Sequence, residues 1–297
     1  MNVQMTETDI KNETSTIGRF PDIKQAVFMT LYFWLAAIIL ITILTFTLPK
    51  YFIKNNVFLI SVLTGITVFI ILLILGGKKT KKPLKEIFPF RHFNTGIILP
   101  LILATAGSII VFSEIDHISH LLFPMFHIKR HLEFYVGKQA FLFLVIVIPF
   151  LEELFFRGLI LGGFLTRYTV NKAIIASSII FAFFYIPNQV FSGFFIGIFY
   201  GWLFANTRSL LPGIFAHSLF NLGGWLSFNL TKIDIHGFVQ RINNYNLSIV
   251  EFQPLWFDLC GLAVFATGIY LLNAILKKGG LKNGGRQMHE VQEAGGN

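Results

Sequence analysis

Charge is what this 297-residue chain has least of. Charged residues make up 13% of it, against about 25% in an ordinary soluble domain. Acidic residues are the scarcer kind, 15 against 24 Lys and Arg, for a net charge of +9. Cysteine is nearly missing, and Cys260 alone excludes a disulfide-stapled scaffold. A chain that is 54% hydrophobic with 35 Phe is not disordered either. Nor is it a water-soluble globule, because so few charges do not cover so much apolar surface. What remains is an all-α fold, a polytopic helical bundle in a membrane.

In a soluble protein the basic excess would point to nucleic acid. Here it lies in short loops between apolar runs and reads as a topology signal. No nucleic-acid partner is expected; the lipid bilayer is. A spanning helix needs about 20 mostly apolar residues. Such runs stand at roughly 26–48, 57–76, 96–113, 140–165, 172–187, 190–206, 210–230 and 255–276, about eight helices. The first is too long for a signal-peptide core, and TLPKYF behind it has no small-residue cleavage site. No internal repeat or separate soluble domain is visible.

The stretch GKKTKKPLKEIFPFR carries Lys78, Lys79, Lys81, Lys82, Lys85 and Arg91 against one acid, Glu86. The positive-inside bias places it in the cytoplasm. With eight spans both termini are then cytoplasmic, in agreement with Arg167, Lys172, Arg208, Lys277, Lys278, Lys282 and Arg286. The expected organisation is a cytoplasmic segment 1–25, three helices and an outer loop over 26–139, and a polar-bearing core over 140–230. An outer loop and the last helix occupy 231–276, and a disordered Gly-rich cytoplasmic tail 277–297. The first outer loop, 114–138, contains His117, His120, His127 and His131. These admit a metal site, but an amphipathic interfacial segment is the plainer reading.

Ionisable groups inside spans point to function. The fourth run, FLVIVIPFLEELFFRGLILGG, holds Glu152, Glu153 and Arg157. Glu153 and Arg157 are four apart, so they share a helical face and pair. Glu152 is rotated by about 100° and lacks a local partner. A lone carboxyl in low dielectric suits proton transfer. A structural triad fixing helix packing is the alternative. Pro149 should free the carbonyl of Val145 and kink the helix. In the seventh run, LLPGIFAHSLFNLGGW, His217 and Asn221 share a face. They suit an oxyanion, a weakly held metal or an interhelical clasp. The fifth run carries Ser177, Ser178, Tyr185 and Asn188, and a tyrosine there by itself reads as a membrane-interface residue. Counted from the cytoplasmic ends at about 1.5 Å per residue, Glu152 and Tyr185 lie roughly 20 Å deep, His217 roughly 10 Å and Asn221 roughly 17 Å. Three helices therefore bring polar groups to similar depths, and a shared intramembrane cavity accounts for this.

These motifs resemble those of the CAAX proteases and bacteriocin-processing enzymes, the CPBP or ABI family, relatives of the type II CAAX prenyl (Ras-converting) endopeptidase. EELFFR meets the first family signature, E-E-x-x-x-R, and HSLFN meets the third, H-x-x-x-N. FAFFY begins the second, F-x-x-x-H, at Phe181 but places Tyr185 where the family has histidine. The resemblance covers roughly residues 140–230. It implies a glutamate-dependent intramembrane endopeptidase of a bacterial plasma membrane, acting on a peptide or membrane-protein substrate. Carried over, Glu152 is the general base, Glu153 and Arg157 its supporting ion pair, and His217 and Asn221 the oxyanion hole.

Tyr185 feeds an alternative. A phenol, with an ordinary pKa of about 10, donates a hydrogen bond but is a poor proton acceptor and zinc ligand. No cofactor is expected, zinc included, since Glu152, His217 and Asn221 are too thin a ligand set. The alternative is a catalytically silent relative that scaffolds or regulates a membrane or cell-wall enzyme; a bacteriocin-immunity factor is the weaker third reading.

Overall fold

The computed structural model describes residues 20–122, 137–185, 189–229, 235, 238 and 252–294. Among the described residues every regular element is a helix and there is no strand. The chain is a multi-pass helical membrane bundle. His127, His131 and Asn188 lie outside the described residues.

Helix α1 (Ile23–Thr47) opens on a reciprocal cap. The Asp22 carboxylate accepts from Gln25 N at 2.8 Å, and the Gln25 side chain accepts from Asp22 N at 2.9 Å. Helix α2 (Lys50–Thr80) is bent at Asn56, whose backbone leaves helical geometry, and stops at Lys81, whose φ is 56°. A four-residue helix α3 (Leu84–Ile87) follows, then a 3-10 turn, Thr95–Ile97, capped by the Asn94 side chain. The turn feeds α4 (Ile98–Leu122). Helix α5 covers residues 137–164 and alternates between α and π geometry. Helices α6 (Val170–Phe183), α7 (Val190–Thr207), α8 (Leu211–Asn229) and α9 (Leu255–Ala294) complete the chain.

Eight of these rods answer to the eight apolar runs. Six are long and apolar enough to cross a membrane: α1, α2, α4 with its leading turn, α5, α7 and the first part of α9. α6 is apolar but has 14 residues. α8 has 19 but carries His217, Ser218, Asn221 and Ser227 among its apolar residues.

Two boundaries differ most from the sequence reading. The third span was expected to end at residue 113, yet α4 continues to Leu122. Its outer turns are built on satisfied polar groups rather than on hydropathy. His117 is buried, with Nδ1 2.8 Å from Glu114 Oε2, and Gln253 Nε2 donates to Ser113 Oγ at 2.5 Å. So His117 belongs to the bundle, not to an interfacial loop. Beyond residue 276, where a disordered tail was expected, the helix runs on to Ala294. Leu, Lys, Arg, Gln, Met, Glu and Ala dominate its last turns and favour helix despite the glycines.

Lipid tails are as apolar as Leu, so helices in a bilayer associate through close packing at small residues. α9 lies along α4 in this way. A Cβ on Gly268 would stand 2.6 Å from Ala104 Cα, and one on Gly107 would stand 2.6 Å from Gly261 O. α7 meets α6 at Gly197, where a Cβ would come within 2.9 Å of Ser178 Cα. Around Phe184 an aromatic cluster of Phe33, Phe69, Phe155 and Phe156 ties α1, α2, α5 and α6 together. α5 thus lies in the middle of the bundle, with Phe155, Phe156, Leu159, Ile160 and Leu161 fully buried.

The glycine contacts are testable. Gly268→Leu should unseat α9 from α4 and lower stability by about 1–3 kcal/mol or more. Thermal unfolding of the purified protein in detergent should show a lower midpoint, while Gly65→Ala, which meets nothing within 4 Å, should leave it within a degree or two of wild type.

Candidate active site

The site is built on the irregular middle of α5. Phe141–Val147 is π-helical, Ile148–Glu153 is α-helical, and Leu154–Leu161 is π-helical again. The cause is local. In the first π stretch Ile148 N bonds Phe143 O, five residues back. The next donor in that register would be the nitrogen of Pro149, which has no hydrogen. Its acceptor is Leu144 O, and the Asn221 side chain on α8 supplies the missing bond, Nδ2 donating at 2.8 Å. The carbonyl freed by Pro149 is therefore that of Leu144, not Val145 as an α count implies. Asn221 spends one of its two amide hydrogens on holding α5 to α8.

Beyond the proline, Glu152 and Glu153 are both buried. Arg157 Nη1 lies 2.9 Å from Glu153 Oε1, the expected pairing, as an ion pair rather than an aligned hydrogen bond. The same oxygen also faces α8, where His217 Nδ1 stands 3.1 Å away. On the other side of the ring, His217 Nε2 is 3.5 Å from Glu152 Oε2, longer than a formed hydrogen bond. Tyr185, just past the end of α6, donates from its hydroxyl to that Glu152 oxygen at 2.9 Å. The result is one unbranched series: Arg157, Glu153, His217, Glu152, Tyr185. A carboxylate accepts only, so the Glu153 contact places a ring hydrogen on Nδ1, and Nε2 is turned toward Glu152.

Aromatic faces enclose this series. The Arg157 guanidinium lies 4.3 Å from the Phe181 ring centre and 5.3 Å from that of Tyr200. The His217 ring is 5.1 Å from Tyr200 and 6.1 Å from Phe181. Both side chains thus sit between the same two rings, a favourable arrangement for the Arg157 positive charge out of water. Arg157 Nη2 also donates to Gly197 O at 3.4 Å. The second Glu153 oxygen is pressed against α8 at Gly213, where a Cβ would come within 2.8 Å of Oε2. Any larger residue there would push α8 away from α5.

Of the residues singled out by their motifs, Glu152, Glu153, Arg157, Tyr185 and His217 therefore meet at one place, while Asn221 holds Leu144 O. Ser177 and Ser178 do not join them, because both hydroxyls bond back to Ile174 O. Tyr200 and Gly213 escaped the sequence reading. Gly197 and Gly201, spaced as small-xxx-small, were the available signal that α7 packs closely here and carries Tyr200 inward. Both His217 nitrogens face carboxylates, and among the described residues there is no group of three or more His, Cys, Asp or Glu side chains that could hold a metal ion.

Residues 138–223 match the family model of type II CAAX prenyl endopeptidase Rce1-like proteins. The match takes in α5 to α8 up to Asn221, which are the helices of the site. It bears out the resemblance to CAAX proteases, and the matched family is one of proteases. No curated protein and no solved structure matches the chain.

Two outcomes follow for the supporting groups. Arg157→Ala should leave Glu153 buried beside Glu152 with one counter-charge fewer, a loss of about 3–5 kcal/mol visible as poor yield or a much lower unfolding midpoint. Asn221→Leu should cost about 1–3 kcal/mol by stranding the Leu144 carbonyl; an unchanged midpoint would remove the clasp from this account.

Proposed function

We propose that this protein is an intramembrane endopeptidase of the CAAX-protease type, cleaving a peptide or membrane-protein substrate with water activated by Glu152. The observation that carries the reading is the buried series from Arg157 to Tyr185, which lies within the residues matched by the protease family. Glu152 is the member whose carboxylate is turned toward a proton-bearing neighbour on either side yet has no guanidinium of its own.

In the proposed reaction Glu152 takes a proton from water while the water oxygen attacks the scissile carbonyl carbon. The carbonyl π bond opens to an oxyanion. The same proton is then delivered to the leaving nitrogen as the C–N bond breaks, which returns Glu152 to the carboxylate. Doubly protonated His217 offers its Nε2 hydrogen to the oxyanion, and Asn221 its second amide hydrogen. Glu153 keeps the ring oriented through Nδ1, and Arg157 balances Glu153. Tyr185 donates to Glu152 and fixes the direction of its lone pairs.

Tyr185 is also the observation that favours a second reading. Its hydroxyl occupies the Glu152 oxygen nearest His217, and a phenol does not share the work of a base as imidazole does. A silent relative that scaffolds or regulates a membrane or cell-wall enzyme fits this arrangement. Under either reading we place the chain in a bacterial plasma membrane with both ends in the cytoplasm, an even number of crossings with the basic 78–91 segment inside.

The readings separate by mutation. Glu152→Gln should fold normally and abolish substrate processing in a complemented deletion strain, with the products followed on gels. Tyr185→His, which restores the imidazole, should raise cleavage, up to the 10²–10⁴-fold typical of one positioned acid–base group. If both variants complement fully and no processed product exists, the scaffold is the better account. Reporter fusions at position 85 and at the C-terminus should both read cytoplasmic; an external signal from either would overturn the orientation.

A further inference from the structure

The segment between α2 and α4 has a built surface. Lys82, Lys85, Arg91 and His92 lie on it, with Glu86 as its one acid, and Lys78 and Lys79 close α2 beside it. Its apolar residues divide in two. Ile87 and Pro89 are buried, whereas Leu84 is 69% and Phe90 49% exposed. Exposed apolar side chains interleaved with cations, in a short link between two spanning helices, belong to the headgroup level of a bilayer.

The segment is pinned to the bundle. Leu210 N donates to Pro89 O at 2.9 Å, and Ser209 Oγ donates to Arg91 O at 2.7 Å. These bonds bring the loop after α7 alongside, including Arg208, which is exposed and held with φ at 49°. From the other side Ile87 and Phe88 press on α5, where a Cβ on Gly158 would stand 2.7 Å from Phe88 Cδ1. Among the described residues Lys82, Lys85, Arg91 and Arg208 have no acidic partner.

We infer that this face binds anionic phospholipid headgroups. Lys82, Lys85, Arg91 and Arg208 meet the phosphates, and Leu84 and Phe90 enter the acyl boundary. The paired apolar anchors favour a lipid over a free phosphate or an acidic peptide, neither of which offers them a partner. The inference concerns the surface alone and stands whether or not the chain is a protease.

The test uses the full chain in detergent, exposed to short-chain phosphatidylglycerol or phosphatidylcholine, with retained lipid counted by native mass spectrometry. Wild type should retain phosphatidylglycerol in several-fold preference, and the preference should fall as salt rises. The combined variant Lys85→Gln, Arg91→Gln and Arg208→Gln should lose most of it while retaining phosphatidylcholine as before. If the triple variant does not fold, Arg91→Gln and Arg208→Gln are read singly, each expected to weaken phosphatidylglycerol about fivefold. Equal retention of the two lipids by wild type, or an undiminished preference in folded variants, overturns the inference. So does inorganic phosphate competing as well as the lipid, which would mark a site for a soluble anion.

Discussion

Two adjacent carboxylates inside an apolar bundle set the terms for everything around them. Each buried charge carries a desolvation penalty of several kcal/mol that only close opposite charge and hydrogen bonds offset. α5 supplies one counter-charge from its own next turn, Arg157, and cannot supply another, since its remaining neighbours are apolar. A further polar partner must come from a different helix, and His217 on α8 is placed between the two acids. α8 is then bound to approach α5 closely, and Gly213 is what lets it. α7 brings Tyr200 and the Gly197 carbonyl to Arg157, and α6 brings Phe181 and Tyr185. The convergence of four helices is a consequence of one electrostatic demand.

The irregular geometry of α5 serves the same end. An ideal α-helix through Pro149 would lose one bond and still present its side chains at a fixed 100° step. Between two π stretches the Ile148–Glu153 segment keeps α geometry, whose step of about 100° turns the two consecutive acids toward different partners: Glu153 toward Arg157 and Nδ1 of the ring, Glu152 toward Nε2 and the phenol. The carbonyl left over is not wasted on lipid, where it would have no donor. It anchors Asn221, so the backbone defect and the packing of α8 are one interaction.

Much of this was legible in the residues alone. Apolar runs reveal eight rods because a bilayer leaves a spanning chain few alternatives to helix, and acids within them stand out against their surroundings. The i, i+4 rule found Arg157 for Glu153 and placed His217 with Asn221. It is silent on partners from other helices, so the second bond of Glu153 and the Leu144 acceptor of Asn221 could not be read. Helix ends were missed for a related reason. Hydropathy marks where apolar residues stop, whereas α4 continues through Ser113, Glu114 and His117 because neighbouring side chains satisfy them. Tyr200 was hidden in an aromatic-rich run, where a phenol looks like any other ring.

The shortness of α6 has a consequence for the bilayer itself. Fourteen residues rise about 21 Å, well under the roughly 30 Å of a typical hydrocarbon core. A mismatch of that size is accommodated by drawing the lipid surface inward beside the helix. A bilayer thinned on the flank where α6 ends would bring its surface toward Tyr185, which follows that helix and donates to the Glu152 carboxylate. Such thinning would let water approach the Glu152 carboxylate from that flank, so the protein would shape its solvent as well as its own interior.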